Sequence, residues 1–256
     1  MIVGVASWRG VGATSTAVLI AARLAARGDR PWLIEADPAG GVLAARLDGL
    51  AHAGSPVGTL ESIAFPAQRG HAIDRFEQAA AAWNGVRVVT APGDPFRAWT
   101  CHQPRAPWAA ALRELDGPVI VDLGRLRGGG PVDAVLQQLD VLLLVASSDV
   151  VDLVATAEWA ALRGRAAATD HGLTVDIARV VVVDAPTASA PATRSMVDYE
   201  LGDRLAGWLP WSSDTVDLVR RGVAFDDRRL RRQPLIHAVD QLTDRLRAWA
   251  PLEVRT

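Results

Sequence analysis

Residues 7–16 read Ser7-Trp8-Arg9-Gly10-Val11-Gly12-Ala13-Thr14-Ser15-Thr16. An apolar run suited to a buried strand precedes them at 2–6, and a helical pattern follows over 14–27. A strand, a glycine-bearing turn and a helix start together make an anion site, because backbone N–H groups and the helix dipole point at one spot. A working phosphate-binding loop places a lysine directly after its last glycine, where the ammonium reaches the outer phosphates. Here that residue is Ala13. The contour is kept and the charge is missing.

No lysine elsewhere can repair the loss, since all 27 basic side chains of the Lys and Arg total are arginine. A coding bias toward arginine would leave Arg, not Ala, at a position that needs a cation. The substitution therefore reads as loss of function at this position.

Around this loop the chain reads as α/β. Apolar strand-like runs at 2–6, 32–35, 86–90, 119–122, 141–145, 179–184 and 206–209 alternate with helical patterns at 14–27, 108–115, 151–163, 214–221 and 235–249. Continuous Val, Ile and Leu runs mark strands covered on both faces, hence a doubly wound, mostly parallel sheet of about seven or eight strands with helices on both faces. No internal repeat or linker interrupts it, so residues 1–256 are read as one domain. Segments 48–82 and 92–107, rich in Gly, Pro, Ala and His, are expected to be mobile loops.

Half of the residues are apolar and the formal net charge is −2, so bulk attraction to polyanions is not expected and only a local patch is left open. Cys101 stands alone, so no intramolecular disulfide is available, and a reducing, cytoplasmic setting is expected. The apolar stretch 17–26 follows Arg9 in the manner of a leader, but Arg23 interrupts it and no cleavage site follows.

Two acidic motifs accompany the loop. Glu35-Ala36-Asp37-Pro38 ends the second strand, and an aspartate there can hold or activate water near a terminal phosphate. Asp-Pro is also an ordinary turn signal. Val119-Ile120-Val121-Asp122 ends in an acid suited to binding Mg²⁺ through water, although Asp is equally a common helix cap.

In this order and spacing, followed by Asp140-Val-Leu-Leu-Leu-Val145 and Trp208-Leu209-Pro210, the motifs resemble the ParA/MinD family of deviant Walker A ATPases. The similarity runs over nearly the whole chain, including the stretch from Arg232 to Leu242. It implies a P-loop NTPase fold, binding of ATP and Mg²⁺, face-to-face homodimers, and partners in positioning plasmids, division sites, pili or secretion machines. The implied nucleotide contacts are Arg9, Gly10, Val11, Gly12, Ala13, Thr14 and Ser15. Thr14 and Asp122 would hold Mg²⁺, and Asp37 would be the catalytic acid of an active enzyme. Trp8 replaces the family's signature lysine, Arg9 a glycine, and Ala13 the phosphate lysine. Glu35 takes the first place of an Asp-x-Asp pair, and Asp184 stands where relatives often carry an adenine-contacting Asn.

Removing one well-placed electrostatic donor costs about 2.7–4 kcal/mol, or 10²–10³ in rate. Two absent lysines leave negligible hydrolysis, with weak or absent nucleotide binding through backbone N–H groups. The reading is thus a pseudo-ATPase scaffold whose partner is an active ATPase or assembly machine. The alternative is a slow switch in which Arg9, Arg125 or Arg127 replaces the lost charge. Trp8 either packs locally, fills the phosphate site, stacks on a base or, with Arg125 and Arg127, contacts a partner. The run Arg228, Arg229, Arg231 and Arg232 reads as a solvated charged turn ahead of a DNA contact. The stripe Ile236, Val239, Leu242, Leu246 and Trp249 reads as core ahead of membrane contact.

Overall fold

The computed structural model describes residues 1–50, 58–67, 72–103, 105–126, 132–163, 177–186 and 188–249. Eight strands form one sheet: β1 (Ile2–Ser7), β2 (Trp32–Glu35), β3 (Ala81–Trp83), β4 (Val86–Val89), β5 (Val119–Arg125), β6 (Val141–Ser147), β7 (Ala178–Asp184) and β8 (Leu205–Pro210). Their order across the sheet is β3-β4-β2-β5-β1-β6-β7-β8. Every pairing is parallel except β3 with β4. β1 and β6 are buried at every position, as continuous apolar runs require when both sheet faces are covered.

Ten helices flank the sheet among the described residues: α1 (Ala13–Ala26), α2 (Leu43–Arg46), α3 (Leu60–Ala67), α4 (Ala72–Ala79), α5 (Pro95–Thr100), α6 (Asp133–Leu136), α7 (Val150–Arg163), α8 (Arg194–Leu201), α9 (Ser213–Arg220) and α10 (Pro234–Trp249). Two apolar layers result. Residues from α1, α2, α9 and α10 pack on one face through Val18, Leu43, Val219 and Val239. Residues from α3, α4, α7 and α8 pack on the other through Ile63, Phe76, Leu153 and Val197. Burying a side chain of this size contributes about 1.5–3 kcal/mol, so these rows fix which face each helix presents. The α10 stripe of Ile236, Val239, Leu242 and Leu246 lies in the first of these layers, against α1 and β8, as core.

Two expectations need correction. The segments read as mobile loops contain α3, α4, β3 and α5, held by Leu60, Ile63, Phe76 and Ala98, each about 1% exposed or less. A few deep apolar anchors suffice where Gly, Pro and Ala dominate the intervening sequence. The helix expected at 108–115 is only the 3₁₀ turn Ala110–Arg113. Trp108, Ala109, Ala111 and Leu112 are all buried, and core packing alone gives this segment the spacing of a helix.

Candidate functional site

The parallel strands β1, β2, β5, β6, β7 and β8 all end at one edge of the sheet, and the 8–12 loop crosses that edge. Open α/β sheets bind ligands in such crevices. Ser7, at the end of β1, receives the Gly10 amide on Oγ at 2.9 Å and folds the loop back. Gly10 (φ +80°) and Gly12 (φ +103°) adopt the left-handed conformation that lets the chain reverse into α1. Gly12 caps α1 with no side-chain hydrogen bond, and the first turn carries no acid. The start of α1 is therefore left to accept an anion, by its dipole and its backbone amides.

Beside the loop lies a cavity of about 730 Å³ lined by Gly10, Gly12, Thr14, Asp37, Trp99 and Arg125 among others. Its acidic lining residue is Asp37, just after β2, and Asp122 on β5 lies beneath it. β5 carries one extra residue against β1, between the pairings Val5–Asp122 and Ala6–Gly124. This bulge sets the Asp122 side chain: Oδ1 accepts the Gly124 amide at 3.0 Å, and the buried Oδ2 has no hydrogen-bond partner. Burial pushes the Asp122 carboxyl up to about 7; Thr14 and the Gly124 amide pull it down, while Glu35 and Asp37 raise it. A buried oxygen without a partner, next to a loop threonine, is a donor set that fits Mg²⁺, a hard cation that takes oxygen ligands.

Asp37 packs on Gly124 so closely that a Cβ at that glycine would fall 1.9 Å from Oδ2. Its Oδ1 accepts the Ala39 amide at 2.8 Å, which holds the Asp-Pro turn. Glu35 has a different task. Oε1 accepts the amides of Val42 and Leu43 at 2.6 and 2.9 Å, and Oε2 that of Ala91 at 3.0 Å. Burial raises its carboxyl above the usual range, against the pull of those three amides. Glu35 thus ties the start of α2 to the end of β4 from inside the protein and does not face the cavity.

The cations are distributed differently from the sequence expectation. Ala13 is 5% exposed and offers no charge. Arg9 turns to the other side of the loop, where its Nε lies 3.9 Å from Oδ1 of buried Asp152. Arg125 stays at the cavity: its Nη2 donates to the Arg9 carbonyl at 3.1 Å, and the guanidinium covers Gly10. Arg127 lies outside the described residues. Two arginines that the sequence did not single out also stand here. Arg46 lines this cavity, and Arg220 donates to Ser15 Oγ at 2.7 Å.

No protein-family model matches the chain, and no curated protein matches it by sequence. Solved structures do. A ParA family ATPase from Chlorobium tepidum TLS superposes with a TM-score of 0.72 at 15% identity, over 96% of this chain and 98% of that one. The fold is that of ParA and MinD. The septum site-determining protein MinD complexed with Mg-ADP from Pyrococcus horikoshii OT3 gives a TM-score of 0.72 at 11% identity, covering 100% and 98%. A chain of the MinC:MinD cell division protein complex from Aquifex aeolicus gives 0.67 at 17% identity, covering 100% and 98%.

On this ParA/MinD fold, the structure brings Gly10, Gly12, Ala13, Thr14, Ser15, Asp37 and Arg125 together around one cavity. Asp122 lies beneath it. Trp8, half-buried at the loop tip, does not line this cavity, so it does not fill the phosphate site. Asp184 ends β7 exposed and does not line the cavity. Arg228, Arg229, Arg231 and Arg232 are exposed, with Arg229 paired to Asp227 at 3.0 Å. No helix among the described residues is long and apolar enough to cross a membrane.

Proposed function

We propose that the chain is a hydrolysis-impaired ParA/MinD-type protein, one domain over residues 1–256, that acts as a cytoplasmic scaffold or partner in spatial organisation. Cell division and plasmid partition are the processes that the fold relatives suggest, and pilus or secretion assembly rests on the sequence resemblance alone. The observation that carries this reading is the charge at the loop. The backbone keeps the contour of a phosphate cradle, with Gly10 and Gly12 both left-handed, while Ala13 supplies no cation and Arg9 is turned toward Asp152. A donor lost from a phosphoryl-transfer site costs about 2.7–4 kcal/mol, enough to remove turnover from a slow switch.

Thr14 and Asp122 would hold Mg²⁺, which when bound neutralises phosphate charge. Asp37, fixed on Gly124 and the Ala39 amide, shapes the pocket floor rather than activating water. The MinD of Aquifex aeolicus was solved in complex with MinC. By analogy, the exposed Trp99 at the cavity rim is a contact for a protein partner.

One observation favours a second reading, a slow Mg-ATP switch. Arg125 lines the cavity and rests on Gly10, where a guanidinium meets phosphate. A single assay separates the two. Phosphate release from saturating Mg-ATP should stay at the background rate, whereas turnover abolished by Arg125→Gln and Asp37→Ala establishes the switch.

A further inference from the structure

A second cavity, of about 330 Å³, lies on the flank of the first turn of α1. Gly12, Ser15, Leu19, Arg46, Trp211 and Arg220 are among its lining residues, and Arg46 also lines the loop cavity, so the two spaces meet at that side chain. Arg220 closes α9 and Arg46 closes α2. The Asp48 amide donates to the Arg220 carbonyl at 3.1 Å, tying the two helix ends together.

The charges here are unbalanced. No carboxylate among the described residues pairs with Arg46. Arg220 reaches Asp217 only at 3.5 Å, and that carboxylate is 55% exposed. Burial lowers the Arg220 guanidinium's affinity for its proton, Arg46 lowers it further, and Asp217 only partly offsets them. Two like charges facing one concave wall are held against their own repulsion, and an anion between them relieves it. Leu19, Leu209, Trp211 and Val216 give the wall an apolar stretch that suits an organic body attached to that anion, beside Ser212, Ser213 and the Asp217 carboxylate.

We propose that Arg46 and Arg220 take the phosphate groups of a nucleotide, replacing from α2 and α9 the charge that Ala13 lacks. The guanidinium fork matches phosphate oxygens in pairs, and Arg220 is already oriented by its bond to Ser15. This rests on reading the loop as a nucleotide cradle, but not on the absence of hydrolysis. Phosphate affinity then enters from the flank of α1.

Isothermal titration with ADP, inorganic pyrophosphate and adenosine tests it, on the wild-type chain and on Arg46→Gln and Arg220→Gln. Each substitution should weaken ADP and pyrophosphate about tenfold or more, the effect of losing a charge-assisted hydrogen bond, and leave adenosine unchanged. Arg220→Lys, which keeps charge without the fork, should fall between. Arg46 is exposed, so Arg46→Gln should melt with the wild type and keeps the test valid if Arg220→Gln does not fold. ADP bound equally by wild type and variants overturns the proposal. So does an equal loss of adenosine, which would signal a distorted pocket, or a wild type that binds neither ADP nor pyrophosphate at millimolar concentration. None of these results alters the turnover measurement, which stands or falls separately.

Discussion

His102 is 1% exposed, and its ring meets Trp108 edge-on with centroids 5.7 Å apart. Neither ring nitrogen makes a hydrogen bond of good geometry. Burial pushes its pKa down to about 4, outweighing an opposing pull from the Ala36 backbone. The imidazole is therefore neutral in the fold, while the unfolded chain protonates it near the ordinary value of about 6.5. Between those two values the unfolded state binds the extra proton, so stability present above about pH 6.5 is lost as pH falls toward 4. The full difference is about 2.5 pKa units, or about 3.4 kcal/mol, of which about 2 kcal/mol is gone by pH 5. His102→Phe keeps a ring against Trp108 and removes the titration. Urea unfolding at pH 7.5 and pH 5.0 should show the wild type losing about 2 kcal/mol more than the variant. The paired comparison cancels the carboxylates that both proteins share. Equal losses would refute the claim that a buried neutral imidazole underlies the 102–108 turn.

Two further substitutions probe the walls of the site. Glu35→Ala deprives the amides of Val42, Leu43 and Ala91 of their acceptor, and at about 1–3 kcal/mol per buried donor it should cost about 3 kcal/mol or more in chemical denaturation. It should also open the segment between β2 and α2 to protease; a neutral result would mean that Glu35 is not the tie described above. Gly124→Ala places a methyl against Asp37 at a positive φ of 60°, and should cost about 1–3 kcal/mol while displacing the Asp37 turn in amide NMR spectra. Unchanged Asp37 and Ala39 resonances would contradict that packing.

Seven of the eight strands are legible in the chain, the central ones because parallel strands buried on both faces must be apolar throughout, and the edge strand β8 through the short apolar run 206–209. β3 escapes that signal: Ala81 and Ala82 are weak strand formers, and the edge needs little burial. The Asn84-Gly85 pair, both with positive φ, is the hairpin turn that announces it. The loop and its two acids are equally legible, since short-range geometry sets the conformation of residues 7–16. The division of labour between Glu35 and Asp37 is not, because it depends on where α2 begins relative to β4. The pairing of Arg220 with Ser15, 205 residues apart, has no local signature at all. The distances that decide which arginine faces the cavity are set by tertiary packing of α1, α2 and α9.

The 8–15 loop is a phosphate cradle intact in backbone and empty of its loop cation, and restoring that cation is the direct test. In Ala13→Lys, isothermal titration should show ADP and Mg-ATP binding at least about tenfold tighter than in the wild type, the order expected for one added charge-assisted hydrogen bond. An affinity unchanged by the new lysine would show that the loop backbone does not aim position 13 at phosphate, and the cradle reading would be lost.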